Sequence, residues 1–193
     1  MNLDNKIKFI KTHHVNCKIG TDSFTNLDNT KGVIYIVRDP RNVITSIKNH
    51  FSLNTYEDAK KFIFDEHRWI GFNSHENKIG DNKLPTLISS WSTNYKSWKN
   101  MSENFLLIKY EDLLMDPDKE FAKIVKFLNS ILNIEFNKNI ITEAIKTSSF
   151  DNLKKLEKSG LFGESVADTK SRHKKDFFYL GPKNDWKKLL DNK

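Results

Sequence analysis

The chain is poor in residues that staple, interrupt or anchor a fold. One cysteine, Cys17, stands among 193 residues, which excludes an internal disulfide framework and any multi-cysteine zinc site. Four prolines and seven glycines are too thinly spread to mark a linker. With no internal repeat or low-complexity tract, one domain over residues 1–193 is expected. Long hydrophobic runs are missing too. The longest, Val33 to Val37, is far short of the roughly 20 residues a membrane helix needs. The start, Met1-Asn2-Leu3-Asp4-Asn5-Lys6, lacks the apolar stretch of a signal peptide. A soluble, cytoplasmic protein with no membrane partner is expected.

What is present is positive charge and aromatic mass. Lys and Arg total 32 against 25 Asp and Glu, a formal charge of +7. Fourteen Phe and four Trp argue for a packed core despite 30% charged residues. The charge favours an anionic partner without naming one. Lys170, Arg172, Lys174 and Lys175 crowd one segment, which reads as a solvated loop or as contact with a small phosphorylated ligand. A nucleic-acid-binding domain ranks last, since only net charge and surface aromatics support it.

Gly32-Val33-Ile34-Tyr35-Ile36-Val37 and Phe105-Leu106-Leu107-Ile108 read as buried parallel strands, and alternation over Ile7–Thr12 suggests a strand with one exposed face, or an edge strand. Each strong strand leads to a helix start. After the first, Asp39 can cap free amides and Pro40 suits the first helical position; Asp116-Pro117 repeats the device. Further helices are predicted at about 57–70, 86–100, 137–147 and 185–190. Residues 159–175 read as a mobile loop. Strands alternating with helices predict an α/β domain, a three-layer parallel sheet flanked by helices.

Arg38 ends a buried strand at the carboxyl edge of the sheet, where ligands of open α/β folds bind. The following helix start offers free amides and a positive dipole end, and Arg38 a planar fork suited to phosphate. Ser46 lies further along that helix. The plainer alternative, Arg38 paired with a carboxylate and Ser46 merely packed, stays open. In Lys11-Thr12-His13-His14 a histidine has the pKa of a general base and the lysine could steady a leaving group. A lone His-His pair is more often surface or core decoration than a catalytic site. No second ligand pair lies at metal spacing, so no metal is expected.

In order, these segments resemble the sulfotransferases that use 3′-phosphoadenylyl sulfate (PAPS). Tyr35-Ile36-Val37-Arg38-Asp39-Pro40-Arg41-Asn42-Val43 through Ser46 is similar to the family's 3′-phosphate-binding strand and helix, and Lys11-Thr12-His13 to its Lys-Thr-His. Tyr110 before Glu111-Asp112-Leu113, Ser148-Ser149-Phe150, and Gly181-Pro182-Lys183-Asn184-Asp185-Trp186-Lys187 resemble its adenine-side tyrosine, its Thr/Ser-x-Phe and its Gly-x-x-Gly-Asp-Trp-Lys donor loop. The resemblance implies a P-loop-NTPase-like fold and sulfuryl transfer from PAPS to a hydroxyl or amine of a small molecule or glycan. His13 would then be the general base and Lys11 a partner of the leaving group. Arg38 and Ser46 would hold the 3′-phosphate, Tyr110, Ser148 and Phe150 would frame the adenine, and Gly181 would sit in the donor loop.

The sequence departs from the family in two places. The family opens with a Pro-Lys-Ser-Gly-Thr loop that binds the 5′-phosphosulfate, and none of Pro40, Pro85, Pro117 or Pro182 begins one. The expectation is an amino-terminally truncated domain without its own P-loop. The alternative is a non-catalytic domain that binds a 3′-phosphoadenosine nucleotide or a partner chain. The family's Arg-Lys before the loop glycine is Tyr179-Leu180, so Arg172, Lys174 or Lys175 would supply that charge, and Asn184 replaces a glycine.

Overall fold

The computed structural model describes residues 6–73, 78–79, 85–101, 103–133, 135–162, 166–167 and 174–190. Its first half contains β1 (Lys18–Ile19), β2 (Asp22–Ser23), β3 (Val33–Val37), α1 (Pro40–His50), α2 (Tyr56–Phe64), β4 (Trp69–Ile70), β5 (Phe72–Asn73), β6 (Lys78–Ile79), β7 (Thr86–Leu87) and α3 (Trp91–Lys99). Then follow β8 (Phe105–Lys109), α4 (Tyr110–Met115), α5 (Pro117–Leu132), α6 (Lys138–Thr147), α7 (Phe150–Lys158), β9 (Val166–Ala167), β10 (Lys174–Lys175), a 3-10 turn at Gly181–Lys183, and α8 (Trp186–Leu189).

The two apolar runs form the parallel pair β3–β8, in register from Val33 opposite Phe105 to Val37 opposite Lys109. Parallel strands need a crossover, and here the intervening segment supplies α1, α2 and α3. Tyr35 of β3 reaches α3, donating its hydroxyl to Asn94 Oδ1 at 2.9 Å and meeting the Tyr95 ring edge-on. Burial, with Tyr95 beside it, pushes the Tyr35 pKa up to about 12. On the other side of the strand's start, a Cβ at Gly32 would stand 2.8 Å from Ile131 Cδ1 and 3.1 Å from Phe127 Cζ of α5. A larger residue there would make these side chains of α5 shift. A second core lies between α1 and α2, where Ile44, Ala59, Phe62 and Ile63 are buried and Trp91 and Leu190 pack against them.

Both Asp-Pro helix starts form as the sequence predicts. Asp39 accepts from the Arg41 amide at 2.9 Å and Asp116 from the Lys119 amide at 3.0 Å, with proline inside each first turn. Other expectations are corrected. Ile7–Thr12 is not a strand, and Ile7, Phe9 and Ile10 are exposed. Among the described residues β3 and β8 pair only with each other, so the alternation of 7–12 finds no ladder to join. The 57–70 helix stops at Phe64, and Trp69–Ile70 instead pairs antiparallel with Thr86–Leu87. The 86–100 helix begins only at Trp91, because Ser89 takes a left-handed φ of 59° and Ser90 Oγ caps the Thr93 amide at 3.2 Å. Within 159–175, Val166–Ala167 pairs with Lys174–Lys175, while 163–165 and 168–173, including Arg172, lie outside the described residues.

Two predictions follow from this packing. Ile108 is fully buried in β8, so Ile108→Ala removes its transfer energy and leaves a cavity. Urea unfolding should show a loss of about 2–5 kcal/mol. The Asp39 carboxylate is held below the usual carboxylate range, first by the Arg41 side-chain hydrogen bonds and less by its charge. Its folded pKa is depressed, so its contribution to stability is present above the ordinary Asp value and disappears as pH falls through the depressed one. The pair is solvent-exposed, and that contribution is worth at most about 1 kcal/mol. Asp39→Asn should shrink the stability lost between neutral pH and about pH 2, read from urea midpoints at each pH; an unchanged loss would assign it to other carboxylates.

Candidate functional site

Both strong strands end in step, so the residues that follow them meet. Val37 pairs with Lys109, and the next residues, Arg38 and Tyr110, stack with the guanidinium carbon 4.5 Å from the ring centroid. Arg38 is half-buried, and its Nε is buried without a hydrogen-bond partner among the described residues. Burial lowers its pKa, and Tyr110 and Glu111 act in the opposite direction. An arginine remains charged in such a setting, so the site holds a desolvated cation.

The turn from β3 into α1 is fixed from two sides. Trp91 Nε1 donates to the Arg38 carbonyl at 3.2 Å, and the Asp39 amide donates to Glu111 Oε1 at 2.9 Å. Arg41, three residues on from Arg38, is engaged with its own helix start and the far end of the chain. Its Nη2 lies 2.6 Å from Asp39 Oδ2, and its guanidinium covers the Trp186 ring at 3.8 Å. Ser46 is exposed further along α1.

Helix α3 fastens the segment that carries His13 and His14. Asn94 Nδ2 donates to the His13 carbonyl at 3.1 Å, Trp98 Nε1 donates to the His14 carbonyl at 2.8 Å, and the Asn16 amide donates to Ser97 Oγ at 3.0 Å. The same Asn94 accepts from Tyr35, which links His13 to β3. The two histidines differ. His14 Nδ1 donates to the Val15 carbonyl at 2.6 Å and its ring stacks on Phe24 at 4.6 Å, whereas Lys11 and His13 are exposed.

At the far end of the chain Phe150, the first residue of α7, meets Gly181. A Cβ at Gly181 would overlap the Phe150 ring, and its φ of 51° is left-handed, so both space and backbone require glycine there. Phe178 lies edge-on to Phe150 at 6.0 Å. The buried Glu157 carboxylate accepts from the Phe177 and Phe178 amides at 2.5 and 3.0 Å, which holds this aromatic strip against α7. Ser148 stands apart from it, exposed at the end of α6 with its hydroxyl donating to the Ala144 carbonyl at 2.7 Å.

The structure thus joins Arg38 to Tyr110 and Phe150 to Gly181. Sequence reasoning missed Asn94, Trp98, Glu111, Asn42 and Thr45, whose partners are far along the chain. Trp91 and Trp98 within the predicted 86–100 helix and the Asn184 departure were the signals available. Among the described residues no cluster of three or more His, Cys, Asp or Glu could hold a metal ion, and no helix is long and apolar enough to cross a membrane.

Comparison with known proteins finds sulfotransferases. Sulfotransferase 2A1 of Macaca fascicularis is 31% identical over 162 residues, 82% of this chain and 50% of that protein. Its Homo sapiens counterpart is 31% identical over 160 residues, 80% of this chain and 49% of that one. The 3-beta-hydroxysteroid sulfotransferase of Cavia porcellus is 29% identical over 129 residues, 66% of this chain and 40% of its own. The chain therefore spans about half the length of the curated relatives it matches. A crystal structure of mouse sulfotransferase SULT7A1 complexed with PAP superposes with a TM-score of 0.45 at 22% identity, covering 64% of this chain and 40% of that one. The sulfotransferase domain profile matches residues 1–193, and the chain belongs to that family.

Proposed function

We propose that this chain carries the 3′-phosphoadenosine half of a PAPS-dependent sulfotransferase, a single domain whose parallel pair belongs to a wider three-layer sheet. The observation that carries the reading is Arg38: a half-buried guanidinium at a helix start with an orphaned Nε. A buried donor without a partner is costly, and a 3′-phosphate supplies two or more acceptors of the right charge and geometry. In this reading Arg38, Ser46 and the start of α1 hold the 3′-phosphate. Tyr110, Phe150 and the Gly181 turn flank the adenine, with Ser148 at their border, and Arg172 lends charge from the preceding segment. The bound donor supplies the sulfuryl group, and no metal enters.

His13 is the proposed base that takes the proton of an acceptor hydroxyl or amine on a small molecule or glycan met in the cytoplasm. Lys11 offsets charge on the leaving phosphate. The assignment favours His13 over His14 because only His13 directly follows Lys11-Thr12, as in the family's Lys-Thr-His. These 193 residues contain no Pro-Lys-Ser-Gly-Thr loop. The exposure of Lys11 and His13 favours a second reading, a domain that binds the nucleotide but turns over only when that loop is supplied with it.

Titration calorimetry tests the half-site. Adenosine 3′,5′-bisphosphate should bind weakly, and Arg38→Ala should weaken it by about 1.5–3 kcal/mol. Equal binding by Arg38→Ala would refute the half-site. A radiolabelled-donor assay over a panel of alcohols tests turnover. The chain alone should transfer poorly, because charge that builds on the leaving phosphate lacks its amide donors. A chain extended by the loop should transfer well, His13→Ala should abolish that activity, and His14→Ala should leave most of it. Robust transfer by the chain alone would remove the need for the loop; transfer that survives His13→Ala would remove the base assignment.

A further inference from the structure

We propose that Asn184 is a positioning residue of the nucleotide site: it clasps the Gly181–Trp186 turn to helix α1, so that the Phe150–Gly181 contact and the Arg38–Ser46 end are held in one geometry before any ligand arrives. The proposal rests on the nucleotide reading above. Asn184 is only 9% exposed, and a primary amide that deep is costly unless its donors and acceptor are engaged. Here both ends are engaged with α1. Its Nδ2 donates to the Asn42 carbonyl at 3.0 Å, and its Oδ1 lies 2.5 Å from Thr45 Oγ1. The Thr45 hydroxyl also lies 2.8 Å from the Asn42 carbonyl, so its single proton is placed between two acceptors. Asn42 returns the contact, its Oδ1 accepting from the Trp186 amide at 3.0 Å.

Three side chains therefore lock two segments about 140 residues apart in sequence, and loop closure over that distance needs specific contacts to hold it. The fastened turn starts at Gly181, packed under Phe150, and ends at Trp186, covered by Arg41. On the other side of the clasp, Thr45 directly precedes Ser46. The Asn184 amide donates to the Gly181 carbonyl at 3.1 Å and its side chain bonds to α1 at Asn42 and Thr45, and it acts through where it places the proposed nucleotide-binding residues. The Asn184 backbone, at φ −73° and ψ 92°, does not require glycine, which is why this position can spend its side chain on the clasp.

The test compares wild type with Asn184→Ala, Thr45→Val and Thr45→Ser, all as the full chain. In the absence of nucleotide, amide hydrogen exchange over 183–190 should accelerate about tenfold or more in Asn184→Ala and Thr45→Val, and stay at the wild-type rate in Thr45→Ser, which keeps the hydroxyl. The preference for adenosine 3′,5′-bisphosphate over adenosine 5′-monophosphate should fall about tenfold in the first two variants and survive in Thr45→Ser. A merely structural loss would weaken both nucleotides alike. Should Asn184→Ala fail to fold, the isosteric Thr45→Val carries the same readings. Wild-type exchange in both disrupted variants, or an intact 3′-phosphate preference, overturns the clasp. A wild-type chain that shows no such preference overturns the nucleotide reading itself, and the positioning role falls with it.

Discussion

The register of one parallel strand pair fixes the chemistry of this molecule. Because Val37 stands opposite Lys109, Arg38 and Tyr110 leave the sheet side by side and the guanidinium finds the ring face. A slip of one residue would turn each side chain to the opposite face of the sheet and separate the two. Tyr35, further back on the same strand, would then lose Asn94, and with it the bridge to the His13 carbonyl. The register is held by apolar content on both strands, with Ile108 fully buried opposite Ile36.

Helix α3 converts that register into a site. Its sequence spaces Trp91, Asn94 and Trp98 at intervals of three and four, so they line one face. Their N–H groups are aimed at backbone carbonyls of Arg38, His13 and His14. Two indoles and an amide thus satisfy carbonyls in stretches that have no ladder of their own. An indole fills space and donates one bond, which is how an irregular segment can be packed without leaving buried acceptors unpaired.

What was legible in the sequence follows the range of the interactions involved. The strands, the Asp-Pro caps and the start of α1 depend on neighbours within a few residues, and they form where the pattern puts them. The resemblance assigns Arg38, Tyr110, Phe150 and Gly181 separate roles in one nucleotide site, and the structure stacks Arg38 on Tyr110 and packs Phe150 against Gly181. The false strand over Ile7–Thr12 shows the opposite case: alternation describes a face, but a strand also needs a partner edge, and that partner is not encoded locally. Ser89 misled for a similar reason. A serine at φ 59° delays the helix start to Trp91, five residues after the expected 86, and propensity gives no warning. The Asn42–Thr45–Asn184 clasp lies beyond any local rule, since each residue reads alone as an ordinary surface polar group.

Net charge is a poor guide to where the positive potential of this chain resides. Of the two arginines beside the α1 start, Arg41 is neutralised by Asp39 and capped by Trp186, while Arg38 has the face of Tyr110 and a more distant carboxylate. Removing the guanidinium from water raises the energy of its bare charge, and the Tyr110 ring returns only part of it, on the order of 1–2 kcal/mol. An exposed lysine bears no such deficit, because water already satisfies it. An incoming anion therefore gains more at Arg38 than at any of the solvated lysines, although they outnumber it. In the proposed nucleotide site, selectivity for a phosphate at Arg38 would come from desolvation and an unmet hydrogen bond, and the +7 of the whole chain would contribute mainly to the rate of encounter.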